Sequence, residues 1–250
     1  MRLTRCHVDT PLQAGQQLAL PEAAANHLTR VLRLRQGDAC VLFNGDGHDY
    51  PARLASVGKR EATVDILGCE AVDNESPLHL TLVQGIARGE KMDLILQKAT
   101  ELGVAAFVPV LAERTEVKLD AERVARRMAH WTSVIASACE QSGRARVPSL
   151  AAARPLATAL PLLTPASLKL SLDPDGSTGV AGLQIAHARQ VVVAIGPEGG
   201  WSPRDRQAMA GFGFSGLRLG PRILRTETAG LAAIAALQSR FGDLQESSAP

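Results

Sequence analysis

The chain has 250 residues, 46% hydrophobic and 21% charged, which suits one or two folded domains and excludes a disordered chain, a collagen-like fibre and a coiled coil. The formal net charge of +2 is too small to indicate a polyanionic partner by itself. Four scattered cysteines without a CxxC pair, and a start without an apolar signal segment, lead us to expect a cytoplasmic protein with no bound metal and no membrane-spanning segment.

The first 72 residues predict a small β-rich domain. Strand composition occurs at residues 3–8, 38–44 and 62–68, and a short helix is expected from Ala23 to Leu32. Residues 73–77 (DNESP) are polar and end in proline. We therefore place a domain boundary after residue 72.

Beyond that boundary, strands and helices alternate along the chain. Strands are predicted at residues 78–87, 105–112, 168–174, 190–196 and 216–220. Helices are predicted at residues 91–103 (ending at Gly103), 121–142, 202–213 and 227–241. This alternation is typical of an α/β domain with a parallel sheet, here over residues 73–250.

A glycine-rich segment, residues 196–200 (GPEGG), directly follows the apolar strand VVVAI. A strand that leads through such a turn into a helix places backbone N–H groups at the carboxyl edge of the sheet, where open α/β sheets bind ligands. The segment matches neither the Rossmann nor the P-loop pattern, and Glu198 would repel a phosphate, so we expect a ligand other than a nucleoside triphosphate. A plain strand-to-helix turn is the alternative. Ser202 and Asp205 fit a capped helix start.

A second segment, residues 217–229 (LRLGPRILRTETA), runs from a strand through a turn into the last helix. Thr226 fits the N-cap of that helix, and Glu227 is favourable in its first turn. Arg222 and Arg225 gain nothing from the positive end of a helix dipole. We expect them to serve an anionic or polar substrate.

These two segments, together with KMDLILQKATELGV, EQSGR and HLTRVLRLRQGD, resemble in order and spacing the RsmE family of 16S ribosomal RNA uracil-N3 methyltransferases. The resemblance covers nearly the whole chain. It implies a PUA-like RNA-binding β-barrel (residues 1–72) and a SPOUT methyltransferase domain (residues 73–250) whose end forms a trefoil knot. It also implies a homodimer that acts on 16S rRNA in the 30S subunit.

The family resemblance implies that S-adenosylmethionine is the cofactor and is held mostly by backbone groups. Glycines suit this task, because backbone can approach a ligand closely only where side chains are absent. The positions that correspond to the family's binding loops are Leu172, Gly196, Pro197, Glu198, Gly199, Gly200, Leu217, Leu219, Gly220, Leu224 and Thr228.

Methylation at uracil N3 requires loss of the N3 proton, and an arginine beside O2 or O4 of the base would favour the resulting anion. Arg225 is the first candidate for this role and Arg222 the second. Glu227 or Glu140 could accept the proton, and solvent is a further alternative. The base must also be unpaired, because N3 lies on the Watson–Crick edge.

The resemblance further suggests RNA contacts by Arg30, Arg33, Arg88, Lys91 and Arg144. The first two stand between apolar residues 31, 32 and 34, which predicts an exposed basic face beside a buried one; a merely solvated surface is the alternative. The last follows a long helix, where a cation that serves only the helix end is equally reasonable.

Two other functions stay open at this point. The chain could be a catalytically silent RNA-binding assembly factor that keeps the knot as a scaffold, or a SPOUT enzyme that modifies another RNA position. Ribose methylation of the SpoU type is disfavoured, because none of Asn26, Asn44 and Asn74 begins the NxGxxxR motif of that family.

Overall fold

The computed structural model describes residues 3–59, 61–116, 121–163, 165–166, 168–185 and 189–244. Contacts divide the chain into two compact units. The first unit comprises Met1–Glu75 and Ala136–Val147, and the second comprises Ser76–Ile135 and Pro148–Pro250. No sequence pattern indicated that residues 136–147 pack with the first unit, and the domain boundary after residue 72 stays a prediction.

The first unit is built on a six-stranded sheet. Its strands are β1 (Arg5–His7), β2 (Gln17–Ala19), β3 (Ala39–Phe43), β4 (His48–Val57), β5 (Ala62–Ile66) and β6 (Glu70–Ala71). They pair in the order β1-β3-β4-β5-β2, and β6 pairs with β4. Only the β1–β3 pair is parallel. Between β2 and β3 lie helix α1 (Glu22–Asn26) and a π-helical turn, His27–Val31.

Buried side chains that alternate with more exposed ones along the strands form the core of the first unit. In β5, residues 62, 64 and 66 are buried while residues 63 and 65 are half-exposed, as expected for a sheet with one covered face. Leu42 and Leu54 from the neighbouring strands join them, and Leu28 enters from the π-helical turn. The core therefore holds the short helical segment against the sheet.

The second unit is built on an eight-stranded, entirely parallel sheet. Its strands are β7 (His79–Gly85), β8 (Val104–Leu111), β9 (Ser149–Leu150), β10 (Arg154–Pro155), β11 (Leu168–Leu172), β12 (Thr178–Gly179), β13 (Gln190–Ile195) and β14 (Ser215–Arg218). The order is β10-β8-β7-β13-β11-β14-β12, and β9 pairs with β8.

The remaining helices are α2 (Glu90–Glu101), α3 (Ala121–Ser142), α4 (Leu156–Ala159), α5 (Pro203–Gly211) and α6 (Thr226–Phe241). Short 3-10 turns occur at Leu160–Leu162 and Val180–Gly182. Side chains from α4 and α5 pack with those of β7, β8 and β13 in one core cluster, and α6 contacts both α2 and β13. No helix among the described residues is both long and apolar enough to span a bilayer.

The structure confirms the predicted α/β class and the strands and helices predicted in the second part of the chain. Gly103 ends α2 with a φ of 83°, and Ser202 and Asp205 form the reciprocal capping box at α5. In the first unit the helix expected from Ala23 to Leu32 is α1 continued by the π-helical turn. Strands β2, β4 and β6 were not predicted; β4 contains Pro51, a residue that usually argues against a strand.

The core of the first unit gives a stability prediction. Leu54 is 1% exposed, whereas Val57 of the same strand is 41% exposed. We expect Leu54→Ala to lower the free energy of unfolding by about 2–5 kcal/mol, because it leaves a cavity. Val57→Ala should change it by about 0.5 kcal/mol or less. Urea unfolding of the full chain measures both, and equal losses would contradict the assigned core.

Candidate functional site

A cleft of about 500 Å³ lies in the second unit, where β11, β13 and β14 end. Three chain segments line most of it: residues 172–174 at the end of β11, residues 195–201 at the end of β13, and residues 217–229 from β14 to the start of α6. Within the last segment, Pro221 and Thr228 do not belong to the lining. All three strands are parallel, so their carboxyl ends meet at one edge of the sheet. The parallel sheet thereby brings together two motifs about twenty residues apart in the sequence.

The glycine loop, residues 196–200, presents mainly backbone to the cleft. Its turn is closed by a hydrogen bond of 2.8 Å from the Gly200 N–H to the Pro197 carbonyl, and Gly200 has a φ of 65°, a conformation that side chains disfavour. On the sheet side, a Cβ added to Gly85 would stand 2.5 Å from the Pro197 nitrogen. The loop therefore lies directly against the end of β7.

Glu198 anchors the outer part of the glycine loop. One of its carboxylate oxygens accepts hydrogen bonds of 3.1 Å from the Arg88 backbone N–H and 3.1 Å from the Lys91 ammonium group. Partial burial alone would raise the pKa of Glu198, but these hydrogen bonds and the nearby positive charge outweigh it and lower the pKa. The carboxylate is thus committed to the protein rather than directed at a ligand.

The arginine segment, residues 217–225, forms another wall of the cleft. Arg218, Arg222 and Arg225 are exposed and line the cleft, and none of them forms an ion pair with a described residue. Ile223 stands between them with 85% of its surface exposed. This wall offers cationic groups that are available to an anionic or polar partner.

The first turn of α6 completes the cleft. Glu227 lines it, and its Oε2 is buried with no hydrogen-bond partner among the described residues. Thr226 was expected to cap the helix, and that expectation is wrong. The N-cap is Arg225, without a side-chain hydrogen bond, and the Thr226 hydroxyl donates to the Gly196 carbonyl at 2.6 Å.

Several lining residues were not singled out from the sequence, among them Asp173, Arg206, Arg114 and Trp201. Asp173 pairs with Arg206 at 3.4 Å, and Arg114 donates to the Gly199 carbonyl at 3.1 Å. Asp173 directly follows β11, so the rule that ligands bind at carboxyl ends of parallel strands would have selected it. No sequence signal pointed to Arg114, because its approach to the glycine loop is a tertiary contact.

Of the cofactor-binding positions expected from the family, all but one line the cleft. The exception is Thr228, which is exposed on α6 and does not belong to the lining. Lys91 lies at the edge of the cleft through its contact with Glu198. The guanidinium group of Arg88 is exposed and pairs with Glu116.

The other residues expected to bind RNA belong to the first unit. Arg30 and Arg33 are exposed, and Arg33 has a φ of 59°. The predicted alternation around them is wrong, because Val31 is 67% and Leu32 is 40% exposed. Arg30 and Val31 lie within the π-helical turn, and Leu32 and Arg33 come directly after it, so the alternation typical of a strand does not apply here.

Arg144 is buried in the first unit, with only 6% of its side chain exposed. It forms an ion pair with Glu75 at 2.5 Å, and its carbonyl accepts a hydrogen bond of 2.9 Å from Arg5. Glu140 also belongs to the first unit, where it accepts a hydrogen bond of 2.9 Å from the His7 backbone. These contacts favour a structural role for both side chains.

Comparison with known proteins gives consistent family matches. Residues 74–238 match the model of an RNA methyltransferase domain, and residues 20–67 match that of an RNA methyltransferase PUA domain. The chain is 30% identical to the ribosomal RNA small subunit methyltransferase E of Buchnera aphidicola, over 97% of this chain and 98% of that relative.

Two solved structures are similar over nearly the full length. A methyltransferase of Legionella pneumophila in complex with S-adenosylmethionine is 39% identical, with a TM-score of 0.91 over 97% of this chain and 100% of that one. A ribosomal RNA small subunit methyltransferase E of Neisseria gonorrhoeae bound to S-adenosylmethionine is 40% identical, with a TM-score of 0.89 over 98% and 100%.

The anchoring of Glu198 can be tested by titration. Because its pKa is lowered in the folded protein, the ionised carboxylate stabilises the loop above the ordinary pKa of glutamate, and this contribution is lost as the pH falls through the lowered value. We expect Lys91→Met to move the pKa of Glu198 up towards its ordinary value, as read from the carboxyl ¹³C shift by NMR.

The matched control is Lys98→Met, because Lys98 lies on the same helix and pairs with Glu101 at 2.8 Å. It should leave the titration of Glu198 unchanged. If Lys91→Met also left it unchanged, Lys91 would not be what holds the carboxylate ionised.

Proposed function

This chain belongs to the RNA methyltransferase family whose curated members are named ribosomal RNA small subunit methyltransferase E, and we propose that it transfers a methyl group from S-adenosylmethionine to N3 of a uracil in 16S rRNA. The observation that carries the proposal is the single cleft in which the glycine loop faces the arginine segment. One wall suits a small ligand held by backbone, and the other suits RNA.

The residues of the cleft fit S-adenosylmethionine. Its volume of about 500 Å³ falls within the range of roughly 300–1,000 Å³ that is usual for small-molecule sites. Leu172, Ile195, Leu217 and Leu224 provide apolar surface, and the glycine loop leaves its backbone open to the ligand. When bound, the cofactor supplies an electrophilic methyl group on its sulfonium sulfur.

Arg225 and Arg222 are the groups proposed to act on the uracil. A guanidinium group beside O2 or O4 stabilises the negative charge that develops as N3 loses its proton, and it costs no reorganisation if it is already in place. Both arginines line the cleft without an ion pair to a described residue, which supports this role. Arg225 is preferred, because it directly precedes the first turn of α6.

Glu227 is the proposed proton acceptor. It lines the cleft next to Arg225, and its buried Oε2 lacks a partner among the described residues. A carboxylate oxygen with a vacant acceptor position would take the N3 proton while N3 forms its bond to the methyl carbon and the bond from that carbon to the sulfonium sulfur breaks, which would leave a neutral thioether. Glu140 accepts the His7 N–H in the first unit, which makes it the weaker choice.

Residues 1–72 are proposed to bind RNA, and residues 73–250 to carry the reaction. Arg30 and Arg33 are exposed beside Val31 and Leu32, so this surface combines cations with apolar groups. Arg88 and Lys91 of the second unit, which pair with Glu116 and Glu198, are further positions proposed to contact RNA. Direct RNA contact by Arg144 is not part of the proposal, since that side chain is buried.

The active form is proposed to be a homodimer that acts on the 30S subunit in the cytoplasm. Helix α6 supports dimer formation, because Leu231, Ala232, Ala235 and Ala236 remain half-exposed on it and small residues permit close helix packing. Sedimentation equilibrium should give twice the mass of 26.4 kDa.

The reaction is tested by transfer of labelled methyl groups to 30S subunits that lack uracil-N3 methylation, followed by digestion and chromatography. We expect the label in 3-methyluridine. Arg225→Ala should lower the rate by roughly a hundredfold or more, the usual loss when a group that stabilises the developing charge is removed, while cofactor binding by calorimetry persists.

Arg204→Ala is the matched control, because Arg204 is exposed on α5 and does not line the cleft. It should methylate as the unaltered protein does. Label in a different nucleoside would indicate another target position. Cofactor binding without any transfer would favour a silent assembly factor, and an active Arg225→Ala variant would refute the role of Arg225.

A further inference from the structure

We infer that Thr226 and Gln84 are positioning residues for S-adenosylmethionine, an inference that rests on the proposed function. A chain of two hydrogen bonds links them to the glycine loop. The Gln84 amide nitrogen donates to the Thr226 hydroxyl at 3.1 Å, and that hydroxyl donates to the Gly196 carbonyl at 2.6 Å. Gln84 is 1% exposed and Thr226 is 7% exposed, so both side chains are largely shielded from water.

The direction of each hydrogen bond follows from the available protons. The Gln84 amide nitrogen also donates to the Gly85 carbonyl at 2.8 Å, so both of its N–H groups are used. A flipped amide would set its oxygen against that carbonyl, where two acceptors repel. The Thr226 hydroxyl has a single proton, and because it accepts from Gln84, that proton is free for Gly196.

These two hydrogen bonds connect three elements at the edge of the cleft. Gln84 lies near the end of β7, Gly196 directly follows β13, and Thr226 is the first residue of α6. Gly196 is the first residue of the glycine loop, and its carbonyl, at the end of a strand and only partly accessible to water, needs a donor. The Thr226 hydroxyl meets that need and fixes the loop against the helix that carries Glu227.

Other side chains bind residues 198 and 199 of the glycine loop, whereas Thr226 binds its first residue, Gly196. Glu198 is bound by Arg88 and Lys91, and the Gly199 carbonyl by Arg114. For the Gly196 carbonyl, the Thr226 hydroxyl is the hydrogen-bond donor that the described residues provide. Loss of the hydroxyl should therefore loosen the loop at the residue where it leaves the sheet.

The Gln84 side chain also leaves one buried polar atom without a hydrogen bond, which packing alone would not explain. The Gln84 Oε1 is buried without a partner among the described residues, and a Cβ added to Gly230 would stand 3.9 Å from it. An apolar residue at position 84 would avoid this unsatisfied acceptor. The amide at this position is explained by its two N–H groups, one of which orients the Thr226 hydroxyl.

The test compares Thr226→Val, which keeps the shape without the hydroxyl, with Thr226→Ser, which keeps the hydroxyl. Calorimetry with S-adenosylmethionine should show a dissociation constant roughly tenfold higher for Thr226→Val, which corresponds to about 1.4 kcal/mol. Thr226→Ser should stay within about twofold of the unaltered protein. In steady-state assays the KM for S-adenosylmethionine should rise in Thr226→Val, while the KM for 30S subunits stays unchanged.

A second measurement uses the protein without cofactor. Amide hydrogen exchange at Gly200, whose N–H is bonded to Pro197, should be faster in Thr226→Val and unchanged in Thr226→Ser. The control is Thr158→Val, because Thr158 lies on α4, its hydroxyl donates to the Pro155 carbonyl just before that helix, and it lies outside the cleft lining. It should change neither exchange at Gly200 nor cofactor affinity.

Gln84→Met provides an independent variant. If Gln84 acts through the Thr226 hydroxyl, Gln84→Met should weaken cofactor binding, and the double variant should bind no worse than Thr226→Val alone. If Thr226→Val fails to fold, the same measurements on Gln84→Met test the inference.

Unchanged cofactor affinity in Thr226→Val or, where that variant does not fold, in Gln84→Met would overturn the inference. Equal weakening in Thr226→Val and Thr226→Ser would overturn it too, and so would a lower melting temperature with normal affinity. If the unaltered protein bound no S-adenosylmethionine, the proposed function itself would fail instead.

Discussion

The parallel pairing of β7, β13, β11 and β14 is the constraint on which the cleft depends. Parallel strands end at the same edge, so the segments that follow them must turn over that edge and find hydrogen-bond partners outside the sheet. The glycine loop does so through its own turn and through the side chains of Thr226, Lys91 and Arg114. The cleft is thus a consequence of how the segments after the strand ends find their hydrogen-bond partners.

Charge is divided within the cleft in a way that fits its two functions. Glu198 and Asp173, the acidic residues on the side of the glycine loop and β11, are paired with Lys91 and Arg206. On the opposite wall, Arg218, Arg222 and Arg225 have no acidic partner among the described residues. Pairing neutralises the two carboxylates of the first wall, which suits a ligand held by backbone, and the second wall stays cationic, which suits RNA.

Thr226 shows that a local sequence rule can predict the wrong hydrogen-bond partner for a side chain. A threonine at the start of a helix is expected to cap it, and the adjacent Glu227 reinforced that interpretation. In the folded chain the hydroxyl is directed to Gly196, thirty residues earlier in the sequence. Arg144 is a parallel case: the sequence suggested an RNA contact or a cation that serves the end of the helix, whereas burial beside Glu75 gives the side chain a structural partner.

The sequence by itself determined the α/β alternation, the five longer strands and four longer helices after residue 72, and the two motifs that line the cleft, because hydrophobic periodicity and glycine turns are local properties. The short elements β9, β10, β12 and α4 were not predicted. Only the tertiary structure decided that residues 136–147 pack with the first unit, that Val31 and Leu32 are exposed, and that Arg114 and Gln84 contribute to the cleft or its support. Those features depend on contacts between residues far apart in the chain, and no local pattern encodes which distant carbonyl or carboxylate a side chain will meet.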